Sequence, residues 1–103
     1  MYGLPPKTIK DIKDIFNRVE RIQKVILYGS RAKGNYRNGS DIDITLIGKN
    51  LTLKNSVYPL MDLLEELYLP YSFDISIYNH IKNDNLIEHI NRVGKVFYTR
   101  DIL

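Results

Sequence analysis

The seven residues Asp41 to Ile47 constrain this chain most, because their polarity alternates without a break. Asp41, Asp43 and Thr45 take one set of positions, and Ile42, Ile44 and Leu46 the other. Successive side chains of a strand point to opposite faces, so the segment reads as a strand with one apolar face and one face carrying two carboxylates side by side. Such a strand needs a second layer to cover its isoleucines, and the flanking sequence supplies candidates for it.

Pro6 to Arg21 places Ile9, Ile12, Ile15, Phe16 and Val19 at three- and four-residue spacing, which predicts an amphipathic helix. Lys24 to Tyr28 is a short β-branched run and predicts a buried strand, broken by Gly29. Ser30 to Gly34 predicts a helical turn with Ser30 as its cap. Thr52 to Tyr68 predicts a second long helix on the stripe Val57, Leu60, Leu64 and Leu67, with Pro59 either kinking it or marking a later start. Ser72 to Tyr78 alternates again, with Phe73, Ile75 and Ile77 opposite Asp74, Ser76 and Tyr78. Asn83 to Val93 predicts a helix capped by Asn83 and stopped by Gly94, and Val96 to Tyr98 a last strand at a sheet edge. This order implies an α/β (α+β) fold, a mixed sheet of about four strands with helices packed on one side.

The 103 residues fit one small domain, expected to span residues 1–103. No cysteine is present, which excludes thiolate metal sites and disulfides and suits a reducing, cytoplasmic setting. No apolar run is long enough to span a membrane, and the first residues lack the apolar stretch of a signal peptide. A net charge of +3, with only a local group at Arg31, Lys33 and Arg37, argues against direct nucleic-acid binding. His80 and His89 are not spaced as a zinc pair and read as surface or helix-end residues.

The chemistry therefore rests on oxygen ligands. Carboxylates held close repel each other unless a cation compensates them or water solvates both. Hard oxygen donors select Mg²⁺, which typically combines one or two carboxylates with substrate phosphates. If the strand bearing Asp74 neighbours the strand bearing Asp41 and Asp43, three carboxylates converge. Such a set can hold two metals about 3.5–4 Å apart, clamping the attacking and leaving oxygens of phosphoryl transfer. Tyr28-Gly29-Ser30 adds a strand ending where a backbone could approach a phosphate closely, with a hydroxyl beside it.

Gly29-Ser30, ten intervening residues and Asp41-Ile42-Asp43, preceded by Ser40, together resemble the DNA polymerase β-like nucleotidyltransferase superfamily. The segment Gly-Ser-Arg-Ala-Lys-Gly-Asn-Tyr-Arg-Asn-Gly-Ser-Asp-Ile-Asp-Ile looks most like its minimal nucleotidyltransferase (MNT) branch, in which Arg31, Gly34 and Ser40 are also characteristic. Phe73-Asp74-Ile75 matches the family's third acid, and the resemblance runs from about Val25 to Tyr98. It implies that Gly29 and Ser30 hold the β- and γ-phosphates of ATP or another nucleoside triphosphate. It implies that Asp41 and Asp43 ligate two Mg²⁺ ions, with Asp74 ligating the catalytic one and helping to deprotonate the attacking hydroxyl. Arg31, Lys33 and Ser40 would belong to the nucleotide site.

In that branch the acceptor side is supplied by a separate helical protein of the HEPN type, in pairs that resemble toxin–antitoxin modules. The resemblance thus implies a protein adenylyltransferase antitoxin that modifies a tyrosine of a HEPN ribonuclease. Two alternatives stay open: an antitoxin acting by contact alone, and a transferase for a small hydroxylated molecule such as an aminoglycoside, with a homodimer completing the acceptor site.

Overall fold

A computed structural model of the chain describes residues 1–100. Four strands form one sheet in the order β3-β2-β1-β4, with β1 at Lys24–Tyr28, β2 at Ile42–Ile47, β3 at Phe73–Ile77 and β4 at Lys95–Thr99. β1 pairs antiparallel with both β2 and β4, whereas β2 and β3 run parallel. A parallel pair needs a crossover connection. Here the crossover is a π-helical turn (Leu53–Val57) followed by α3 (Tyr58–Glu65). The fold is the mixed four-stranded sheet that the alternation demands.

The predicted helix over 52–68 is thus shorter and divided between two pitches. Thr52 caps its start, its hydroxyl accepting from the Asn55 N–H while the Asn55 side chain accepts from the Thr52 N–H. Val57 and Tyr58 keep a helical backbone, so Pro59, in the first turn of α3, marks a change from π- to α-helical pitch within one continuous run. The first helix, α1, spans Pro6–Arg18 and stops before the predicted Arg21, because Val19 leaves the helical conformation while its side chain remains buried.

One face of the sheet carries the main core. Val25 and Leu27 of β1 and Ile42, Ile44 and Leu46 of β2 are wholly buried, together with Ile12 and Phe16 of α1 and Leu60 of α3. Phe97 of β4 closes the layer, its ring edge-on to Phe16 at 5.7 Å. Fully burying one such side chain stabilises by about 1.5–3 kcal/mol.

The prediction that all helices share one side needs correction for α4 (Asp84–Val93). Ile26 points away from the main core, and Gly94 lies so close to it that an added Cβ would sit 2.7 Å from Ile26 Cγ2. α4 therefore covers part of the opposite face, with Ile90 buried there. Asn83 caps α4 as predicted, its side chain accepting from the Asn85 and Leu86 N–H groups. Gly94 does stop the helix, but its backbone is extended and not left-handed, so its role is close packing. No helix among the described residues is long and apolar enough to cross a membrane.

Candidate active site

The site lies on the α4 side of the sheet, at one end. Strand register aligns Tyr28, Asp43 and Asp74 in a single row across β1, β2 and β3. Paired residues of neighbouring strands present their side chains to the same face. Asp43 is half-buried in the middle of this row, Asp74 is exposed at one side, and Asp41 is exposed just before β2 begins. Burial, then the charges of Asp74 and Asp41, push the Asp43 carboxyl above its usual range, partly offset by Arg31. Burial also raises the Tyr28 hydroxyl, and the Asp74 and Asp43 charges add to it.

The acids fit a magnesium site in donor chemistry and in their uncompensated charge. They do not form a ready cage: among the described residues no three acidic or histidine side chains close on one point. That pattern suits an ion that takes its remaining ligands from phosphate and water.

Gly29 opens a five-residue helix, α2 (Gly29–Lys33), with φ at +71°. A Cβ at this position would collide with Oδ2 of Asp43. Glycine is thus required twice, for the left-handed backbone and for the close approach of the carboxylate. The predicted capping role of Ser30 is not found: Tyr28 occupies the cap position, without a side-chain bond. Ser30 is half-buried on the first turn, next to Gly29.

Arg31 departs from its predicted place among the phosphate ligands. It is only 3% exposed. Its Nε and Nη2 donate to the Ser40 carbonyl at 3.1 and 2.9 Å, and Nη1 donates to the Tyr2 carbonyl at 3.0 Å. The guanidinium lies 4.9 Å from the Tyr71 ring centre and 5.5 Å from that of Tyr36. Among the described residues no carboxylate pairs with it. Arg31 therefore clamps the backbone immediately before Asp41. Ser40 is the other half of this clamp, and its hydroxyl accepts from the Arg37 N–H at 2.8 Å. Lys33 is exposed at the far end of α2, and Arg37 is exposed in the loop that follows; among the described residues neither side chain is paired.

His89 is the residue that sequence reasoning missed. It reaches in from α4, and its Nε2 accepts the Gly29 N–H at 3.2 Å, across 60 residues of sequence. Its ring stands edge-on to Tyr28 at 6.1 Å. The sequence holds one faint signal, the position of His89 beside the buried Ile90. The docking of α4 on the carboxylate face has none.

A family model described as "Polymerase beta, Nucleotidyltransferase" matches residues 10–103. A Methanocaldococcus jannaschii protein named "Putative protein adenylyltransferase MJ0604" is 32% identical, covering 86% of this chain and 96% of its own. Among solved structures, a toxin–antitoxin with AMP-PNP superposes with a TM-score of 0.70 at 19% identity, over 90% of this chain and 74% of that one. A tri-AMPylated Shewanella oneidensis HEPN toxin in complex with MNT antitoxin gives a TM-score of 0.66 at 17% identity, over 97% and 74%. At these identities the structural likeness establishes the fold.

Proposed function

The chain belongs to the polymerase beta nucleotidyltransferase family, and from that premise we propose that it moves AMP from ATP to a hydroxyl of a partner protein, with Mg²⁺ held by Asp41, Asp43 and Asp74. The observation that carries this reading is the Tyr28–Asp43–Asp74 row with the Gly29 turn pressed against Asp43. It puts a tight backbone turn, a hydroxyl and clustered acids at one end of the sheet. The relative named as a protein adenylyltransferase supports a protein as the acceptor.

Each residue then has a physical task. The Gly29 turn brings backbone close to the triphosphate, and the Ser30 hydroxyl donates to a phosphate oxygen. Lys33 faces the leaving pyrophosphate. Asp41 and Asp43 hold the metals, and Arg31 fixes the backbone from which Asp41 projects. When bound, two Mg²⁺ ions would neutralise charge on the attacking and leaving oxygens. Asp74 orients the acceptor hydroxyl and takes its proton. The acceptor oxygen bonds to the α-phosphorus, the bond to the β-phosphate bridge breaks, and pyrophosphate leaves. Positioning and charge neutralisation account for most of such catalysis.

The solved structures of this fold that contain toxin–antitoxin pairs motivate a finer reading. The acceptor is a tyrosine of a HEPN-type ribonuclease, and the chain acts as its antitoxin. The test mixes the purified chain with a HEPN-type ribonuclease, Mg²⁺ and α-labelled ATP. Label on a partner tyrosine is expected, together with none from the Asp41→Asn/Asp43→Asn double variant. Absence of label with the unaltered chain, or equal label with the variant, sinks the mechanism.

A further inference from the structure

We infer that His89 is a positioning residue of the nucleotide site, acting through the backbone of Gly29. The inference rests on the nucleotidyltransferase reading above and goes beyond it, because His89 lies outside the glycine–serine and aspartate motifs.

The geometry leads there in three steps. Gly29 holds a left-handed backbone at +71°, so its turn is fixed by its surroundings more than by local preference. Among the described residues no side chain near it in sequence caps it, and the cap residue Tyr28 makes no side-chain capping bond. Among the described residues the one side chain bonded to the Gly29 backbone is that of His89, whose Nε2 accepts the Gly29 N–H. An accepting Nε2 requires the neutral ring with its proton on Nδ1.

His89 is itself held firmly. Its ring stands edge-on to Tyr28, the residue before the turn. One helical position further on, Ile90 is buried under the sheet. On the same helix, Asn91 Oδ1 accepts from the Tyr78 hydroxyl at 2.9 Å, fastening α4 to the end of β3. α4 thus bridges the strand that carries Asp74 and the turn that carries Ser30. Through His89 it sets the distance between the phosphate-facing turn and the carboxylate row. The bond also takes up the Gly29 N–H, which leaves the donors of Ser30 as those presented to a phosphate.

Two substitutions separate the hydrogen bond from the packing. His89→Leu keeps apolar bulk and loses the acceptor. His89→Gln places Oε1 where Nε2 now sits. Binding of AMP-PNP with Mg²⁺ is measured by calorimetry for the unaltered chain and both variants, with amide exchange at Gly29 read by NMR. Loss of one such bond is expected to weaken binding about fivefold in the leucine variant, with faster Gly29 exchange. The glutamine variant should stay within about twofold and keep the slow exchange. In the transfer reaction the leucine variant raises KM for ATP and leaves kcat close to that of the unaltered chain, a split that general loosening of the fold does not produce. Equal binding by all three proteins overturns the role of His89 and leaves the nucleotidyltransferase reading intact. Equal losses in both variants overturn it as well, since packing alone would then explain them. If the unaltered chain fails to bind AMP-PNP, both readings fall.

Discussion

The two faces of the sheet are built to opposite rules. The face under α1 and α3 is closed: Ile42, Ile44, Leu46, Val25 and Leu27 have no exposure, and a single apolar cluster fills the layer. The other face is only half covered. α4 seals one part with Ile90 and Gly94 over Ile26 and His89 against the buried Tyr28, and leaves Asp43 half-exposed and Asp74 exposed. The same strands feed both faces, so residues one apart serve different ends. Ile42 and Ile44 stabilise the chain, while Asp43 between them is held in an unfavourable charge environment. The contrast shows where the fold keeps its stability and where it gives some up for chemistry.

Substitutions on the two faces should separate activity from stability. The largest effect belongs to the open face. Asp74→Asn should lower kcat by about 10³-fold or more, the loss of several kcal/mol of metal-assisted stabilisation, with little change in Tm. The closed face should answer in the reverse sense. Leu60→Ala should cost about 2–5 kcal/mol in denaturant unfolding while the folded fraction keeps its kcat. A large kcat loss from Leu60→Ala at full folding would break the comparison.

Arg31 tests the border between the faces. Arg31→Lys keeps a positive charge but not the fork that grips the Ser40 carbonyl, nor the planar stacking on Tyr71. It should cost about 1.5–3 kcal/mol of stability. Because Ser40 precedes Asp41, it should also weaken Mg²⁺ binding measured by calorimetry. If affinity for ATP fell while Mg²⁺ binding held, Arg31 would instead touch phosphate.

The smallest effect concerns the charge on Asp43. Its folded carboxyl titrates above the ordinary value, so the metal-free fold is favoured at acid pH and loses that advantage as pH rises through the folded value. Asp43→Asn should therefore raise the Tm of the metal-free protein at neutral pH, and the gain should shrink as the buffer approaches the ordinary aspartate range. Added Mg²⁺ should raise the Tm of the unaltered chain and leave the variant nearly unmoved. A variant less stable than the unaltered chain at neutral pH would contradict the raised carboxyl.

Much of the fold, and part of the site, is legible in the order of the residues. Strand β1 falls on the run Lys24–Tyr28, and β2 and β3 lie within one residue of their alternating segments. Alternation is a local consequence of strand geometry, so it states which face each aspartate takes without reference to the remainder of the chain. Gly29 is also readable as a position where a strand must turn sharply. The sequence leaves open the change of pitch in the 52–68 segment near Pro59, because proline is tolerated in a first turn and disruptive later.

What local pattern does not encode is the neighbour. That β2 lies between β1 and β3, so that Asp43 is flanked by Tyr28 and Asp74, follows from strand order alone. That Arg31 is buried against two carbonyls and two tyrosines depends on Tyr2, Ser40 and Tyr71 meeting in space. His89 gains its place at Gly29 only because α4 docks on the carboxylate face, opposite to the side expected. Periodicity fixes a side chain's direction within its own element. The contact it finds is set by long-range packing, and in this protein the tertiary structure supplies the partners of Asp43, Arg31 and Gly29.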